Sequence, residues 1–491
     1  MALTAIQSYV LDELRNGAEM TPEFIKLLVD DFTPIALDKK ELYDRYTIDN
    51  VPILKRPILD GTKVNNKVNN DFAGEIVDQK VGYALGTAIK YSVDRTSYDN
   101  DEDGYRQAQG NINKFVVRNT MNDKDIELGK LVSICGVAGR EVYIDKEGLE
   151  KVVNLPAWEM IFLTDGDGEV EYALRVHPEL RMVNDELKDV VCVDFYDEDG
   201  ITYYVEVESQ DGSRYQLDNK QEKNPKPHVF NQTPIVKVVN NEEEMGDFER
   251  VINLIDGYDR TMSDVNSEIE QFRMAYMYFK GVKVTKETIE EAKTAGGFEI
   301  PADGDIGFIT KQMSDTYVEN HLKRLEQNIN RFAKHVNMSD PDFGGGDSSL
   351  ANKYKLSALE MKSMILEVKM KTALLRQFKI LTSAWKKKGI DIDYLDLNFT
   401  FSRNLPVNVA EEADENVKLK GLISERTRLG RLSFVDDVDY ELDEMAQDAL
   451  NDGFLEAEPS IEERVNINLD ELDEDELTQA EEVNVDGEET E

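Results

Sequence analysis

The sequence is poor in the residues that most metal and redox sites need. It contains two cysteines, Cys135 and Cys192, and four histidines among 491 residues. Two cysteines cannot form the disulfide framework of a small secreted protein, so a reducing, cytosolic folding environment is expected. The histidines and cysteines lack the spacing of a zinc site, and no nucleophile–histidine pair is evident. The sequence therefore predicts no cofactor and offers little support for an enzyme.

Long apolar runs are missing as well. No segment comes near the ~20 consecutive apolar residues that a membrane-spanning helix needs, so no membrane partner is expected. The N-terminus lacks the basic start and small-residue cleavage site of a signal peptide. Hydrophobic residues nevertheless make up 40% of the chain, which is enough for real cores. At usual domain sizes, this length predicts roughly two to four packing units.

Positive charge is scarce. The chain has 57 lysines and arginines against 100 aspartates and glutamates, a formal net charge of -43. Residues 456–491 contain sixteen of the acids and one arginine, which predicts a disordered acidic tail. Affinity for DNA depends on neutralising phosphates with basic side chains, so this charge argues against a conventional DNA-binding protein. Residues 353–388 carry the opposite net charge, with ten basic residues and two acidic ones.

The glycine run Gly344–Gly346 does not make a phosphate-binding loop. A Walker loop ends in Gly-Lys-Ser or Gly-Lys-Thr, whereas Asp347, Ser348 and Ser349 follow here and the next lysine is Lys353. The carboxylate of Asp347 would repel a phosphate. A Rossmann fingerprint opening a strand–helix unit is also missing.

Two other functions stay open at this point. Asp165 and Asp167 lie in the sequence DGDGE, which could hold a hard metal ion in a metal-dependent nuclease or hydrolase. A hairpin turn is the simpler explanation of the same residues. The acidic tail would also suit an adaptor or scaffolding protein, although solubility alone explains such a tail.

The first half of the chain changes from helices to strands. Residues 1–50 read as helices, with Thr21 as an N-cap and Pro22 in the first turn. Helical spacing returns in residues 72–85, and Gly86 suits the end of that helix. Residues 131–239 alternate in polarity and are divided by turn sequences, which predicts an antiparallel β region.

Two long helices dominate the second half. Apolar residues keep helical spacing over 248–272, and a second helix is predicted over 315–337. A strand, a short helix and another strand lie between them, so the pattern predicts a helical hairpin that carries a small α/β element. The longest helix is predicted over 348–388, with Ser348 or Ser349 as its cap. A strand and two or three helices follow, and the class is α+β.

Several sequence blocks resemble one known family. They are NNDFAGEIVDQKVGYALGTAIKY, AGREVYIDKEG, the block from TPIVKVVNN to YMYFKG with Asp256 and Ser263, SDPDFGGGDSSLANKYKLSALEMK, and FSRNLPVNVAEEADENVKLKGLISERTRL. Their order over residues 65–450 resembles that of portal proteins of tailed phages, the type found in siphophages of Gram-positive hosts. Leu350 stands where the family often has glycine, which makes this loop stiffer.

The resemblance implies a portal fold with named parts. The wing, built of helices and antiparallel β-structure, comprises residues 1–245 and 389–407, and the stem helices are 246–276 and 315–337. The small α/β clip is 277–314, the channel loop 338–352, and the long basic helix of the wing 353–388. The helical crown is 408–455, and the acidic tail is 456–491.

The resemblance also implies a non-enzymatic role in the virion, at one capsid vertex, with assembly in the host cytoplasm. Identical subunits, usually twelve, form a ring through which double-stranded DNA is packaged and ejected. The implied partners are the terminase large subunit, the major capsid and scaffolding proteins and a head–tail adaptor. The channel-loop residues would be Asp340, Asp342, Phe343, Gly344, Gly345, Gly346, Asp347, Ser348 and Ser349. Candidate channel-facing cations are Lys323, Arg324, Arg331 and Lys334. The basic helix is expected to meet acidic surfaces of adjacent subunits.

Overall fold

The computed structural model describes most of the chain. It covers residues 3–58, 64–98, 101–183, 185–207, 214–272, 276–281, 285–297, 302–309, 315–337, 356–404, 409–432, 435 and 438–451. The predicted channel loop 338–352, with its predicted helix cap, and the acidic tail 456–491 lie outside these residues. The chain divides into two compact units, Met1–Asn404 and Leu405–Glu491. Helices and antiparallel sheets occur together, as the α+β prediction requires.

The first half of unit one begins with five α-helices. They are α1 Ala5–Arg15, α2 Pro22–Tyr46, α3 Phe72–Leu85, α4 Glu102–Arg118 and α5 Met121–Cys135. The predicted cap is confirmed, because the Thr21 hydroxyl accepts a hydrogen bond from the Phe24 amide at 3.3 Å. Gly86 ends α3 as expected.

The sequence missed α4 and assigned part of α5 to the β region. Asp101 caps α4 through the Gly104 amide, at the start of an acidic stretch for which no helix was predicted. The placement of residues 131–135 in strands is wrong, because α5 buries Leu128, Val132 and Cys135 at helical spacing. The helix ends only at Gly136, whose φ of 81° suits glycine.

The strands form antiparallel sheets. In chain order they are β1 Lys90–Val93, β2 Val137–Ile144, β3 Glu150–Leu155, β4 Met160–Thr164, β5 Val170–Val183, β6 Glu186–Tyr196, β7 Gly200–Val207, β8 Arg214–Leu217, β9 Lys226–Pro227, β10 Ile235–Val239, β11 Tyr276–Lys280, β12 Asp305–Ile309 and β13 Leu397–Thr400. One sheet has the order β10-β2-β3 and another the order β4-β5-β6-β7-β8, with β9 beside β7. The β1–β13 pair joins residues 90–93 to residues 397–400 near the end of unit one.

The helical hairpin with its inserted element is confirmed. Its helices are α6 Ile252–Phe272 and α8 Asp315–Ala333, and between them α7 Lys286–Ala295 accompanies the antiparallel pair β11–β12. The long helix α9 spans Ser357–Lys387. Unit two contains α10 Val409–Leu419, α11 Glu425–Leu429 and α12 Val438–Asn451.

Three apolar clusters support these elements. One packs α4, α5 and α9 around Phe115, Phe378 and Trp385. The second joins α3 and α5 to the three-stranded sheet and to the base of α6 and α8. The third covers the larger sheet with α1 and α2. Among the described helices, none combines the length and apolarity needed to cross a membrane.

Candidate functional site

The helices α6 and α8, here called the helix pair, run antiparallel. Ile329 and Ala333 near the end of α8 share an apolar cluster with Val251 and Ile255 at the start of α6. The end of one helix therefore lies beside the beginning of the other. Phe332 follows Ile329 by three residues on α8, but its side chain is 54% exposed. It lies in the last turn of α8, with the Arg331 guanidinium carbon 5.9 Å from its ring centroid.

The four candidate channel-facing cations are at the surface of this pair. Lys323, Arg324, Arg331 and Lys334 are all exposed, whereas Leu322 and Ile329 of the same helix are buried. Lys334 has a φ of 56° and follows the last residue of α8. The predicted helix end at 337 is therefore three to four residues too late, because the left-handed residue terminates the helix.

A row of polar residues on α6 holds the chain segment 66–70. Ser267 and Ser263 accept hydrogen bonds from the amides of Asn66 and Val68 at 3.0 and 2.9 Å. Buried Asp259 accepts from the amide of Asn70 at 2.9 Å and from its side chain at 2.7 Å. The backbone amides of this segment thus find their hydrogen-bond acceptors on one face of α6.

Asp256, one of the residues that carried the family resemblance, lies next to this row and contacts another helix. Its carboxylate accepts two hydrogen bonds from Arg45 of α2, at 2.8 and 3.3 Å. Ser263, the other such residue, belongs to the polar row. Both therefore fix α6 against the N-terminal part of the chain.

A buried ion cluster, formed by Lys80, Asn240, Asp247 and Lys362, lies at the base of the helix pair. The Nζ of Lys80 is 3.0 Å from Oδ2 of Asp247, and both side chains are 1% exposed. The same nitrogen donates to the Asn240 side chain at 2.6 Å. Lys362 of α9 approaches Oδ1 of Asp247 at 3.0 Å. One carboxylate therefore joins α3, the end of β10, the entry to α6 and the long helix.

Lys362 also closes the other helix of the pair. Its Nζ donates to the carbonyl of Ala333, the last residue of α8, at 2.9 Å. A cation at a helix C-terminus satisfies carbonyl groups that have no partner within the helix. Lys362 thus links the start of α6 and the end of α8 through a single ammonium group.

Charge balance explains how this cluster tolerates burial. Burial raises the pKa of Asp247, but the nearby Lys80 and Lys362 lower it by more, so the net change is downward. Burial lowers the pKa of Lys80, and Asp247 opposes that change. Removal of one partner would leave an uncompensated buried charge, which is costly.

The described chain on either side of residues 338–355 is attached to α3. Gln79 makes two hydrogen bonds to the backbone of Val336. Its side chain accepts one from the Val336 amide at 3.0 Å and donates one to the Val336 carbonyl at 2.7 Å. Tyr83, four residues further along α3, donates to Glu360 of α9 at 2.6 Å. Arg403 then binds Glu360 through Nε and Nη2, each at 2.9 Å. One helix therefore fixes both the exit from the helix pair and the entry to α9.

The basic helix finds several acidic partners within its own chain, and its expected contact with acidic surfaces of adjacent subunits stays a prediction. Lys371 is 2.7 Å from Glu367, and Lys379 is 2.6 Å from Glu169. Lys388 pairs with Glu150, and Arg376 donates to the carbonyls of Asp167 and Gly168. These contacts pair the positive charge of α9 with acidic residues and carbonyl groups of α9 itself, of the β4–β5 turn and of β3.

The proposed metal ligands behave as turn residues. The Asp165 carboxylate accepts hydrogen bonds from the amides of Asp167 and Glu169 at 2.9 and 2.8 Å. This is the side-chain pattern of an Asx turn between β4 and β5. No group of three potential metal ligands occurs among the described residues. A hairpin turn therefore accounts for DGDGE.

Sequence reasoning missed the ion cluster and the attachment to α3. Lys80 did leave a signal, because it interrupts a helical face formed by Ile76, Val77 and Ala84, all of which are buried. A lysine at such a position requires a partner. The identity of that partner could not be read from the sequence, since Asp247 is 167 residues away.

Comparisons with known proteins give one consistent match. The family model described as "Phage portal protein, SPP1 Gp6-like" matches residues 38–452. The portal protein of Bacillus phage SPP1 is 24% identical over 468 residues, covering 89% of this chain and 88% of that protein. The portal protein of Clostridium phage phiCD119 is 24% identical over 395 residues, covering 76% and 83%, respectively.

Proposed function

Because the chain belongs to the SPP1 Gp6-like family of phage portal proteins, we propose that twelve copies form a ring at one capsid vertex. Double-stranded DNA enters and leaves through the axis of this ring. The match over residues 38–452 is the observation that carries the proposal. The family is structural, and the motor that hydrolyses ATP belongs to a separate terminase.

The parts of the portal follow the elements of the chain. The wing is 1–245 with 389–407, the stem is 246–276 with 315–337, and the clip is 277–314. The pairing of β13 with β1 supports placing 389–407 in the wing, since it ties that strand to the N-terminal part. Residues 408–455 form the crown, and the unit boundary after Asn404 supports a separate part there.

The stem provides the surface near DNA. Lys323, Arg324, Arg331 and Lys334 face the channel, where exposed cations on an otherwise negative chain guide the phosphates without strong binding. The channel loop, 338–352, contributes repeated carboxylates from Asp340, Asp342 and Asp347. Its two flanks are held by Gln79 and Tyr83 of α3, so the frame of the loop is firmly positioned.

The ring binds several partner proteins. The clip docks first the terminase large subunit and then the head–tail adaptor, while the outer surface contacts the major capsid and scaffolding proteins. Assembly takes place in the host cytoplasm, and the mature location is the virion.

Electron microscopy of the purified chain tests the proposal. Rings with a central channel are expected under assembly conditions, and their mass from light scattering should equal that of twelve chains of 56.0 kDa. A chain that stays monomeric, or a particle with no channel, would overturn it. Rings of another subunit number would overturn only the count.

A further inference from the structure

The long helix α9 has an uncovered apolar face near its N-terminal end. Met361, Met364, Ile365 and Val368, here called the apolar strip, are 61%, 54%, 46% and 60% exposed. Their spacing of three, four and seven residues places them on one side of the helix. Contiguous apolar surface of this kind marks an interaction site more often than scattered exposed residues do.

Lysines flank the strip. Lys369 and Lys371 are one and three residues after Val368. In a helix of 3.6 residues per turn they lie on opposite edges of the exposed face, at about 80° on either side. Their side chains are 28% and 42% exposed. They pair with Glu242 and Glu367, but their exposure leaves room for a further carboxylate. A partner with apolar side chains and an acidic edge would fit this surface.

The tip of the β5–β6 hairpin has that chemistry. Leu180, Met182 and Leu187 are 61%, 61% and 63% exposed. Met182 is the cross-strand partner of Leu187, and Leu180 lies two residues before Met182, so all three share one face. Asp189, the partner of Leu180, is on this face as well, whereas Glu186, the partner of Val183, is on the other face.

One residue on the other face of the tip, Arg181, is covered within the chain. Arg181 is 7% exposed and makes two hydrogen bonds to Asp218, at 3.0 and 2.9 Å. This contact anchors the hairpin and directs its apolar face outward. The apolar residues therefore do not lie in a floppy loop, and the tip is a preformed surface.

The tip and the strip cannot meet within one chain. The helix α9 contacts the β4–β5 turn through Arg376 and Gly168, at the opposite end of β5 from the tip. With 14 residues at about 3.4 Å each, β5 separates its two ends by about 45 Å. A tip that covers the strip must therefore come from another copy of the chain.

We propose that the β5–β6 tip of one copy docks on the apolar strip of the next copy. Asp189 then approaches Lys369, while Met182 and Leu187 cover Met364 and Val368. Two different surfaces on one chain make a head-to-tail contact, the type that closes into a ring. The proposal rests on the proposed ring and names the contact between its subunits.

Cysteine cross-linking provides the direct test. The double variant Met182→Cys with Met364→Cys should form disulfides between subunits, seen as a ladder of covalent oligomers on non-reducing gels. The native Cys135 and Cys192 are buried, and burial raises the pKa of each thiol to about 12, so both stay unreactive. The matched control pairs Met182→Cys with Leu395→Cys, whose native side chain is 68% exposed elsewhere.

A charge exchange gives an independent readout. Lys369→Glu with Lys371→Glu should raise the concentration needed for half-assembly about tenfold, a change expected for lost close charge pairs. Asp189→Lys in the same chain should restore part of the lost assembly. Thermal unfolding of each monomer checks that the fold is intact.

The outcomes separate the two proposals. Rings that form normally but cross-link no faster than the control pair, or that ignore the charge exchange, would overturn the docking contact and leave the portal function standing. A chain that forms no ring under any assembly condition would overturn both.

Discussion

Gln79 and Tyr83 lie four residues apart on α3 and hold the chain on the two sides of residues 338–355. Gln79 binds the backbone of Val336, and Tyr83 binds Glu360. Because residues four apart share one helix face, a single rigid element fixes both flanks. The spacing between these flanks is therefore set by α3 and does not depend on the segment they enclose.

Gln79→Ala combined with Tyr83→Phe should slow DNA packaging while rings still form. The change removes hydrogen bonds that position the flanks, and each contributes about 1 kcal/mol to stability. Packaged DNA per head, measured by nuclease protection, gives the readout. Exposed Gln107→Ala with Tyr9→Phe is the matched control. Equal packaging by both double variants would show that the attachment to α3 has no functional role.

Lys80→Met should destabilise unit one by about 3 kcal/mol, since it leaves part of a buried carboxylate unpaired. Urea unfolding of the monomer measures this loss. Lys369→Met removes an exposed ion pair and should cost under about 1 kcal/mol. Similar losses in the two variants would mean that the buried ion cluster does not hold the base of the helix pair.

Reversal of the stem cations, Lys323→Glu with Arg324→Glu, should lower the rate of DNA translocation without loss of rings. Two added negative charges per subunit replace groups that attract phosphates, and the effect should weaken as salt rises. Arg106→Glu, on α4 with 74% side-chain exposure, is the control. Single-molecule packaging rates that match those of the control would place these cations away from DNA.

Deletion of residues 344–348 should impair packaging and leave ring assembly intact. The glycines allow backbone conformations that other residues avoid, and a shorter loop reaches less far toward passing DNA. Replacement of the same five residues by Gly-Ser-Gly-Ser-Gly keeps the length and provides the comparison. Normal packaging by the deletion variant would reduce this segment to a simple linker.

Glu141 on β2 should make stability depend on pH. Burial raises its pKa to about 7, with Arg175 opposing the change. An unfolded glutamate titrates near pH 4.3, so the folded chain holds the extra proton between that value and about 7. The stabilising effect is complete below the unfolded pKa and is lost as the pH rises through the folded pKa.

Glu141→Gln should remove this dependence. Between pH 5.5 and pH 8, the wild-type chain should lose on the order of 2 kcal/mol of unfolding free energy relative to the variant. Urea unfolding at both pH values measures the difference, and Glu147→Gln, in the exposed turn of the same hairpin, should follow the wild type. Parallel curves for wild type and Glu141→Gln would contradict the raised pKa.

Much of the architecture could be predicted because local signals agreed with the fold. The Thr21 cap, the end of α3 at Gly86 and the helical hairpin around β11–β12 all depend on neighbouring residues. The helix α4 was missed because it begins with its cap, Asp101, in a run of acidic residues, a pattern that suits an exposed loop equally well. In the same way, the last five residues of α5 were predicted as strand because a short, mainly apolar run suits either element.

The candidate site was only partly predictable. The stem cations were identified from the sequence, and the structure shows that all four are exposed. Their position relative to DNA remains a prediction. The pairing of Lys371 with Glu367 and Lys379 with Glu169 was not expected, since the net charge of a segment does not tell where each partner lies.

The sequence by itself determined most of the order of helices and strands, the acidic balance and the family, because periodicity, turn residues and ordered motifs are local properties. Only the tertiary structure decided that Lys80, Asp247 and Lys362 share one site. Residues so far apart in the chain meet only after α3, α6, α8 and α9 have packed. The partner of a buried charge is therefore selected by the completed core, and no local pattern could specify it.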